Sequence, residues 1–345
     1  MTLISEIHEQ PECLEKLRLT QHNLVMEIAQ AIRGRDIRFV FLAARGTSDN
    51  AGRYANYLWG AQNQLPMALA TPSLFTYYKQ PPKIKDALVV GISQSGKSPD
   101  IVSVLEEGKK QGNLTLAITN EPNSPLARTS DFVFDIQAGE EKAVAATKTY
   151  TSQLMTIAML SAAMSGDTIR WKELDKISGW ASDVLAQEQY IAHAVQRYRY
   201  MQQCVVLGRG YNYATAFEWA LKMKELTYVA AEPYSSADFK HGPVAMVESG
   251  FPVFAASPKG KVFESMHRML AHLKNDLLAE LIVISNAEEA LNLADIAISI
   301  PENVPEWLTP IVGIIPAQLF AYHLTLAKGY NTEQPRTLSK VTETR

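Results

Sequence analysis

Ala87-Leu-Val-Val-Gly-Ile-Ser-Gln-Ser-Gly-Lys-Ser98 passes from an unbroken apolar run into a loop of glycine and small hydroxyl residues, and Pro99-Asp-Ile-Val then opens a helical pattern. An apolar run this short is a strand buried on both faces, as in a parallel sheet covered by helices. The same alternation spreads outward from it. Arg38–Ala43, Met67–Ala70, Leu114–Thr119 and Phe132–Ile136 read as further strands with helices between them, which makes one doubly wound α/β domain. A helix rich in Ala, Leu and Met over Ala145–Met164 closes it.

The pattern then restarts. Strands are expected at Cys204–Gly208, Pro252–Ser257, Leu281–Ser285 and Ile296–Ile300, and helices at Thr215–Val229, Val262–Leu278 and Leu308–Lys328. Phe41-Leu-Ala-Ala-Arg-Gly46 and Val205-Val-Leu-Gly-Arg-Gly210 each end an apolar strand with Arg-Gly before a polar loop and a helix, a weak internal repeat. A chain of 345 residues with 47% hydrophobic content can fill two cores of ordinary size. The expected organisation is a helical segment over 1–34, a first domain over 35–195 and a second over 196–345. A polar helix between Lys172 and Arg199 joins the two domains.

Charge narrows the function classes. The 33 Lys and Arg are scattered and the net charge is −3, so no basic stripe marks a nucleic-acid or membrane surface. An anionic ligand has to be held locally. Cys13 and Cys204 lie far apart with no His or Cys at metal-ligand spacing, and read as incidental thiols in a reducing compartment. The acidic first turns of MTLISEIHEQPECLEKL do not fit a signal peptide, and a cytoplasmic location is the expectation. Leu308–Ala327 is long and uncharged enough for a membrane span, but Pro310, Pro316, Gln318 and His323 favour a buried core helix.

Open parallel sheets bind ligands beyond the carboxyl ends of their strands. Two loops there, Arg45-Gly-Thr-Ser-Asp-Asn50 and Gly91-Ile-Ser-Gln-Ser-Gly-Lys-Ser98, bring hydroxyls, glycine and helix-start amides together, which is how a dianion is cradled. The competing reading is that Ser48, Asp49 and Ser98 only cap helices. Gly91–Ser98 also satisfies the pattern of a nucleotide-binding P-loop, with Asp135 as metal support, and that reading predicts stabilisation by Mg²⁺ and ATP. On the helix after the second Arg-Gly loop, Glu218, Lys222 and Glu225 follow at spacings of four and three, so they share a face. His241 lies in a loop, and imidazole is the side-chain type suited to proton transfer near neutrality.

Ser93-Gln-Ser-Gly96, Ala146-Thr-Lys-Thr149, Lys222-Met-Lys-Glu-Leu226, Glu232-Pro-Tyr-Ser-Ser-Ala-Asp-Phe-Lys-His-Gly-Pro243 and Glu333-Gln-Pro-Arg-Thr-Leu-Ser-Lys340 occur in this order. Together they resemble the isomerase half of glucosamine-6-phosphate synthase, built from two sugar isomerase (SIS) domains. The resemblance implies two doubly wound parallel sheets flanked by helices. It also implies a sugar phosphate bound by Thr47, Ser48, Ser93, Gln94, Ser95 and Ser98, with the main chain at Val144 touching the sugar. Glu225 is then the proton-shuttling carboxylate, with Glu218 and Lys222 as charged neighbours. His241 opens the pyranose from the neighbouring subunit of a homodimer, and Lys340 reaches the open-chain sugar. No metal or organic cofactor is implied.

Lys97 departs from the acidic residue usual in the family loop, and Arg45 stands where the synthase has cysteine. Thr2 occupies the position of the synthase's glutaminase nucleophile. The expectation is therefore an isomerising deaminase that converts glucosamine 6-phosphate to fructose 6-phosphate and ammonia. Its alternatives are a deglycase of fructosamine-type 6-phosphates and a non-catalytic sugar-phosphate sensor.

Overall fold

The computed structural model describes residues 2–340 and contains ten strands in two parallel sheets. The first is made of β1 (Phe39–Ala43), β2 (Met67–Leu69), β3 (Ala87–Ile92), β4 (Leu114–Thr119) and β5 (Phe132–Asp135), in the order β2-β1-β3-β4-β5. The second is made of β6 (Gln203–Gly208), β7 (Ala230–Ser235), β8 (Pro252–Ala256), β9 (Glu280–Ser285) and β10 (Ile296–Ser299), in the order β10-β9-β8-β6-β7. Read from the other edge, the second order repeats the first. The Arg-Gly repeat is structural as well: Arg45 and Arg209 are both extended, and Gly46 and Gly210 both turn the chain at positive φ, 53° and 60°.

The sheet order fixes where ligands can approach. Strand order reverses between β1 and β3, so their loops leave the sheet in opposite directions and open a crevice between them. Register places Ala43 opposite Gly91, so the two loops start level. Every residue of β3 and β4 is buried, as two covered faces require.

The helices that matter here are α1 (Leu3–His8), α2 (Gly46–Asn63), α3 (Pro99–Lys110), α4 (Lys148–Ser165), α5 (Tyr213–Lys222), α6 (Phe263–Asn275) and α7 (Thr309–Ala327). Val104 and Leu105 of α3 pack with Val89 and Ala117 of the first sheet. Met266, Met269, Leu270 and Leu273 of α6 cover Val205, Val253, Leu281 and Val283 of the second. The span Glu306–Ala327 is the one helix among the described residues long and apolar enough to cross a membrane. Its apolar window is 78% buried within the protein, and α7 packs on α5 and on the helix Ile177–Leu185. Its apolar surface is used inside the second-sheet unit.

The chain forms two compact units. One holds the second sheet, the chain up to Pro11, and Lys142–Thr147; the other holds the first sheet with α4.

The N-terminal helical segment consists of three helices, Leu3–His8, Gln10–Thr20 and His22–Arg33. Three sequence expectations need correction. The polar helix of 172–199 is broken into Thr168–Leu174, Ile177–Leu185, Glu188–Ala194 and a 3₁₀ turn over Val195–Tyr198. Strand β7 was not expected, because Pro233 cannot donate to a ladder; β7 is an edge strand, where proline is tolerated. The helix expected over Thr215–Val229 is α-helical only to Lys222, after which Met223–Thr227 form a π turn that ends at Tyr228 with φ 57°.

Candidate functional site

The loop after β3 is built to hold its own backbone open. Ser93 N–H donates to Ile118 O at 3.1 Å, and the Gln94 carbonyl accepts from Asn120 N at 3.1 Å and Thr119 Oγ1 at 3.2 Å. Gly96 N–H returns to Ser93 Oγ at 3.1 Å, and Lys97 N–H to Ser95 Oγ at 3.4 Å. Ser93 is buried, Gln94, Ser95 and Ser98 are half-buried, and Lys97 is exposed. Ser98 occupies the N-cap position of α3 without making a side-chain cap bond, and α2 likewise begins without one. The Ser98 hydroxyl therefore does not cap α3, and Ser48 and Asp49 lie inside the first turns of α2, whose N-cap is Arg45.

Gly96 is required twice over. Its φ is +59°, and a Cβ there would stand 2.0 Å from Ser124 Oγ. Gly96→Ala should destabilise the protein by about 2–3 kcal/mol, from left-handed strain together with overpacking. Thermal unfolding reads this directly, and an unchanged midpoint would show that the loop is not held as described.

The loop after β1 joins this one through charge. Arg45 Nε donates to Asp100 Oδ2 at 2.8 Å, and the Asp100 side chain is completely buried while that of Arg45 is half exposed. Ser48 is buried and its Oγ accepts from Gln153 Nε2 of α4 at 3.0 Å, and Thr47 beside it is half-buried. Burial raises the pKa of Asp49 above the ordinary aspartate value, against the pull of Arg53 and Arg45. The sequence reading missed Asp100. An acid in the first turn after Pro99 is what a helix dipole alone would favour, so the sequence around it carries no mark of its burial.

Glu141 was also missed. It lies in a loop, outside any periodic pattern, yet its side chain is 0% exposed and accepts from Thr149 N at 3.1 Å and Thr149 Oγ1 at 2.8 Å. Lys340 Nζ donates to the same carboxylate at 2.6 Å. A lysine four places beyond Arg336 in a terminal segment thus has a buried anionic seat. Asp135, the metal support of the P-loop reading, accepts from Gln137 N at 3.0 Å on edge strand β5, two strands away from β3.

In the second-sheet unit, Lys222 is 1% exposed and touches two carboxylates, Glu225 Oε2 at 2.5 Å and Glu218 Oε1 at 3.4 Å. Glu218 is fully buried, while Glu225 keeps 23% of its side chain accessible. The expected shared face exists, but Glu225 stands on the π turn rather than on α5. Single π turns recur at functional positions because the extra residue re-aims side chains. The turn is braced from beyond its end: the Arg336 guanidinium stacks on Tyr228 at 4.4 Å and on Tyr330 at 5.1 Å, and Arg336 N–H donates to Tyr228 OH at 2.8 Å.

His241 follows β7 and the short helix Ser236–Phe239, and its ring is exposed with no hydrogen bond or ion pair among the described residues. Val144 is half-buried in the segment Lys142–Thr147. Among the described residues no group of three His, Cys, Asp or Glu is disposed to hold a metal ion.

A family model for the SIS domain matches residues 35–163 and matches again over 200–328. The chain belongs to the SIS family. It is 32% identical over 353 aligned residues to the isomerizing glutamine–fructose-6-phosphate aminotransferase of Thermus thermophilus, an alignment that takes in 98% of this chain and 58% of that protein. The chain thus spans little more than half the length of this curated relative. Its fold follows the C-terminal domain of the glucosamine-fructose-6-phosphate aminotransferase of Francisella tularensis, with TM-score 0.86, 29% identity and coverage of 96% and 98% of the two chains. The glucosamine-6-phosphate deaminase of Thermotoga maritima shares the fold over the whole of both chains, with TM-score 0.81 at 21% identity. The chain carries both copies of the domain, one on each of the two sheets described above.

Proposed function

We propose that this SIS protein isomerises and deaminates an aminohexose 6-phosphate, converting glucosamine 6-phosphate and water to fructose 6-phosphate and ammonia. The observation that carries the reading is the Glu218–Lys222–Glu225 group: one partly accessible carboxylate held by a buried ammonium, on a π turn that ends in a braced tyrosine. A 1,2-proton shift needs a base of this kind, oriented and reachable from one side. The Thermus relative is named for an isomerizing reaction of fructose 6-phosphate, which supports the substrate class.

In this reading, the phosphate is held by Ser93, Gln94, Ser95 and Ser98, with Thr47 and Ser48 beside them. The main chain at Val144 contacts the sugar. His241, supplied by the second subunit of a homodimer, opens the pyranose ring. Glu225 then removes the proton from carbon 2 of the open aldehyde while the aldehyde oxygen takes a proton from the substrate's own ammonium group, leaving an enolamine, and Glu225 returns its proton to carbon 1. Carbon 1 is now a hydroxymethyl group and carbon 2 an iminium. Water adds at carbon 2 and ammonia departs, which leaves the ketone. Lys222 tempers the charge on Glu225 through the cycle, and Lys340, released from Glu141, approaches the open-chain sugar.

The test is an assay of ammonia and ketose 6-phosphate release across glucosamine, galactosamine and fructosamine-type 6-phosphates. Equimolar ammonia and fructose 6-phosphate from glucosamine 6-phosphate is the expected result. Release of an amino acid from a fructosyl adduct, with none from glucosamine 6-phosphate, would make it a deglycase. Binding with no turnover of any of them would make it a sensor.

A further inference from the structure

α1 lies far from every motif in the sequence, yet it is tied to a segment the reading above depends on. Glu6 is 0% exposed, and its carboxylate accepts from Lys142 N at 2.5 Å and from Ala143 N at 3.3 Å to each oxygen. At the other end of α1, Leu3 N–H donates to both carboxylate oxygens of Glu333, at 3.1 and 3.2 Å. Just beyond α1, Gln10 Nε2 donates to Gln318 Oε1 at 2.8 Å, and Gln318 Nε2 reaches Thr147 O at 3.4 Å. The segment Lys142–Thr147 is thus fixed near its start by Glu6 and at its end through Gln318. All of these residues belong to the second-sheet unit.

Burying a carboxylate is unfavourable unless its lone pairs are filled, and an apolar side chain of similar volume would occupy the same space without that cost. What the carboxylate adds is direction. Charge-assisted bonds to two successive amides fix the peptide planes at residues 142 and 143, immediately before Val144. We propose that Glu6 is a positioning residue for the sugar, acting through the main chain of Val144. This rests on the reading of Val144 as a sugar contact. The two amides form a small anion-binding concavity that the protein fills with its own N-terminal helix. The N-terminal segment then belongs to the site's machinery, although it contributes nothing that touches substrate.

Isothermal titration of the full chain separates this role from general stabilisation. Two probes are used: glucitol 6-phosphate, an open-chain hexose phosphate mimic, and inorganic phosphate, which needs only the Ser93–Ser98 loop. Glu6→Gln keeps one good acceptor and Glu6→Ala keeps none. Glucitol 6-phosphate should bind roughly threefold more weakly to the first and about tenfold more weakly to the second, while inorganic phosphate stays within about twofold of wild type. Equal weakening of both probes, or unchanged glucitol 6-phosphate binding in both variants, overturns the proposal. If the Ala variant does not fold, Glu6→Gln decides alone, because its carbonyl preserves the packing. Failure of the wild-type protein to bind glucitol 6-phosphate instead removes the reading of the site itself, and the role of Glu6 with it.

Discussion

Glu225→Gln should lower kcat for ketose 6-phosphate formation about 1,000-fold while KM stays within about threefold, since a positioned general base contributes roughly 10²–10⁴ in rate. The amide is isosteric and can still accept from Lys222, so the geometry of the π turn survives the change. The carboxylate is also partly accessible, and Lys222 retains Glu218 at 3.4 Å, so the folded state loses little. Its thermal midpoint should therefore fall by no more than a few degrees, since the neutral isostere keeps a hydrogen bond from Lys222 and that ammonium keeps Glu218 as a carboxylate partner. The combination is diagnostic: an intact fold, ordinary substrate affinity and no proton transfer. Exchange of the carbon-2 hydrogen with solvent deuterium, followed by NMR, isolates the step from ring opening and from ammonia loss. Turnover within tenfold of wild type on every aminohexose phosphate would move the base to another residue.

The sheets were legible because burial on both faces leaves a plain mark: short apolar runs such as Leu114–Thr119, spaced by helix-length segments. β7 escaped because its Pro233 contradicts a ladder, and only its edge position resolves the contradiction. The Glu218–Lys222–Glu225 group was legible as a helical face, but the π turn beneath Glu225 was not, since one additional residue in a turn leaves hydrophobic periodicity nearly unchanged. Asp100, Glu141 and Glu6 were missed for a shared reason. Each is an acid with a fully buried side chain whose charged or side-chain partner is remote in the chain, 55 residues away for Asp100 and 199 for Glu141, or whose amide partners are, 136 and 137 residues away for Glu6, so nothing in the neighbouring sequence separates it from a solvated surface acid. Burial of charge is a tertiary property, and in this chain it accompanies the residues that hold loops in place.

Lys222→Met should cost about 3–5 kcal/mol of folding stability, because removing one partner from a buried ion pair leaves the other in a poorly solvated site. Lys222 is 1% exposed and Glu218 0%, so water cannot replace the ammonium. Methionine fills most of the volume, so the loss reports charge rather than a cavity. A midpoint lower by roughly 10 °C is expected near pH 7, given a few degrees per kcal/mol in domains of this size. Adding Glu218→Leu to Lys222→Met should recover most of the lost stability, since the double change removes both charges, and the two effects should be strongly non-additive. Activity should not return, because Glu225 still lacks the ammonium 2.5 Å from its carboxylate. Recovery of stability without recovery of turnover would separate what the pair does for the fold from what it does for the proton shift. A Lys222→Met midpoint equal to wild type would mean that Glu218 is not held by this lysine, and the charged group would lose its place in the mechanism.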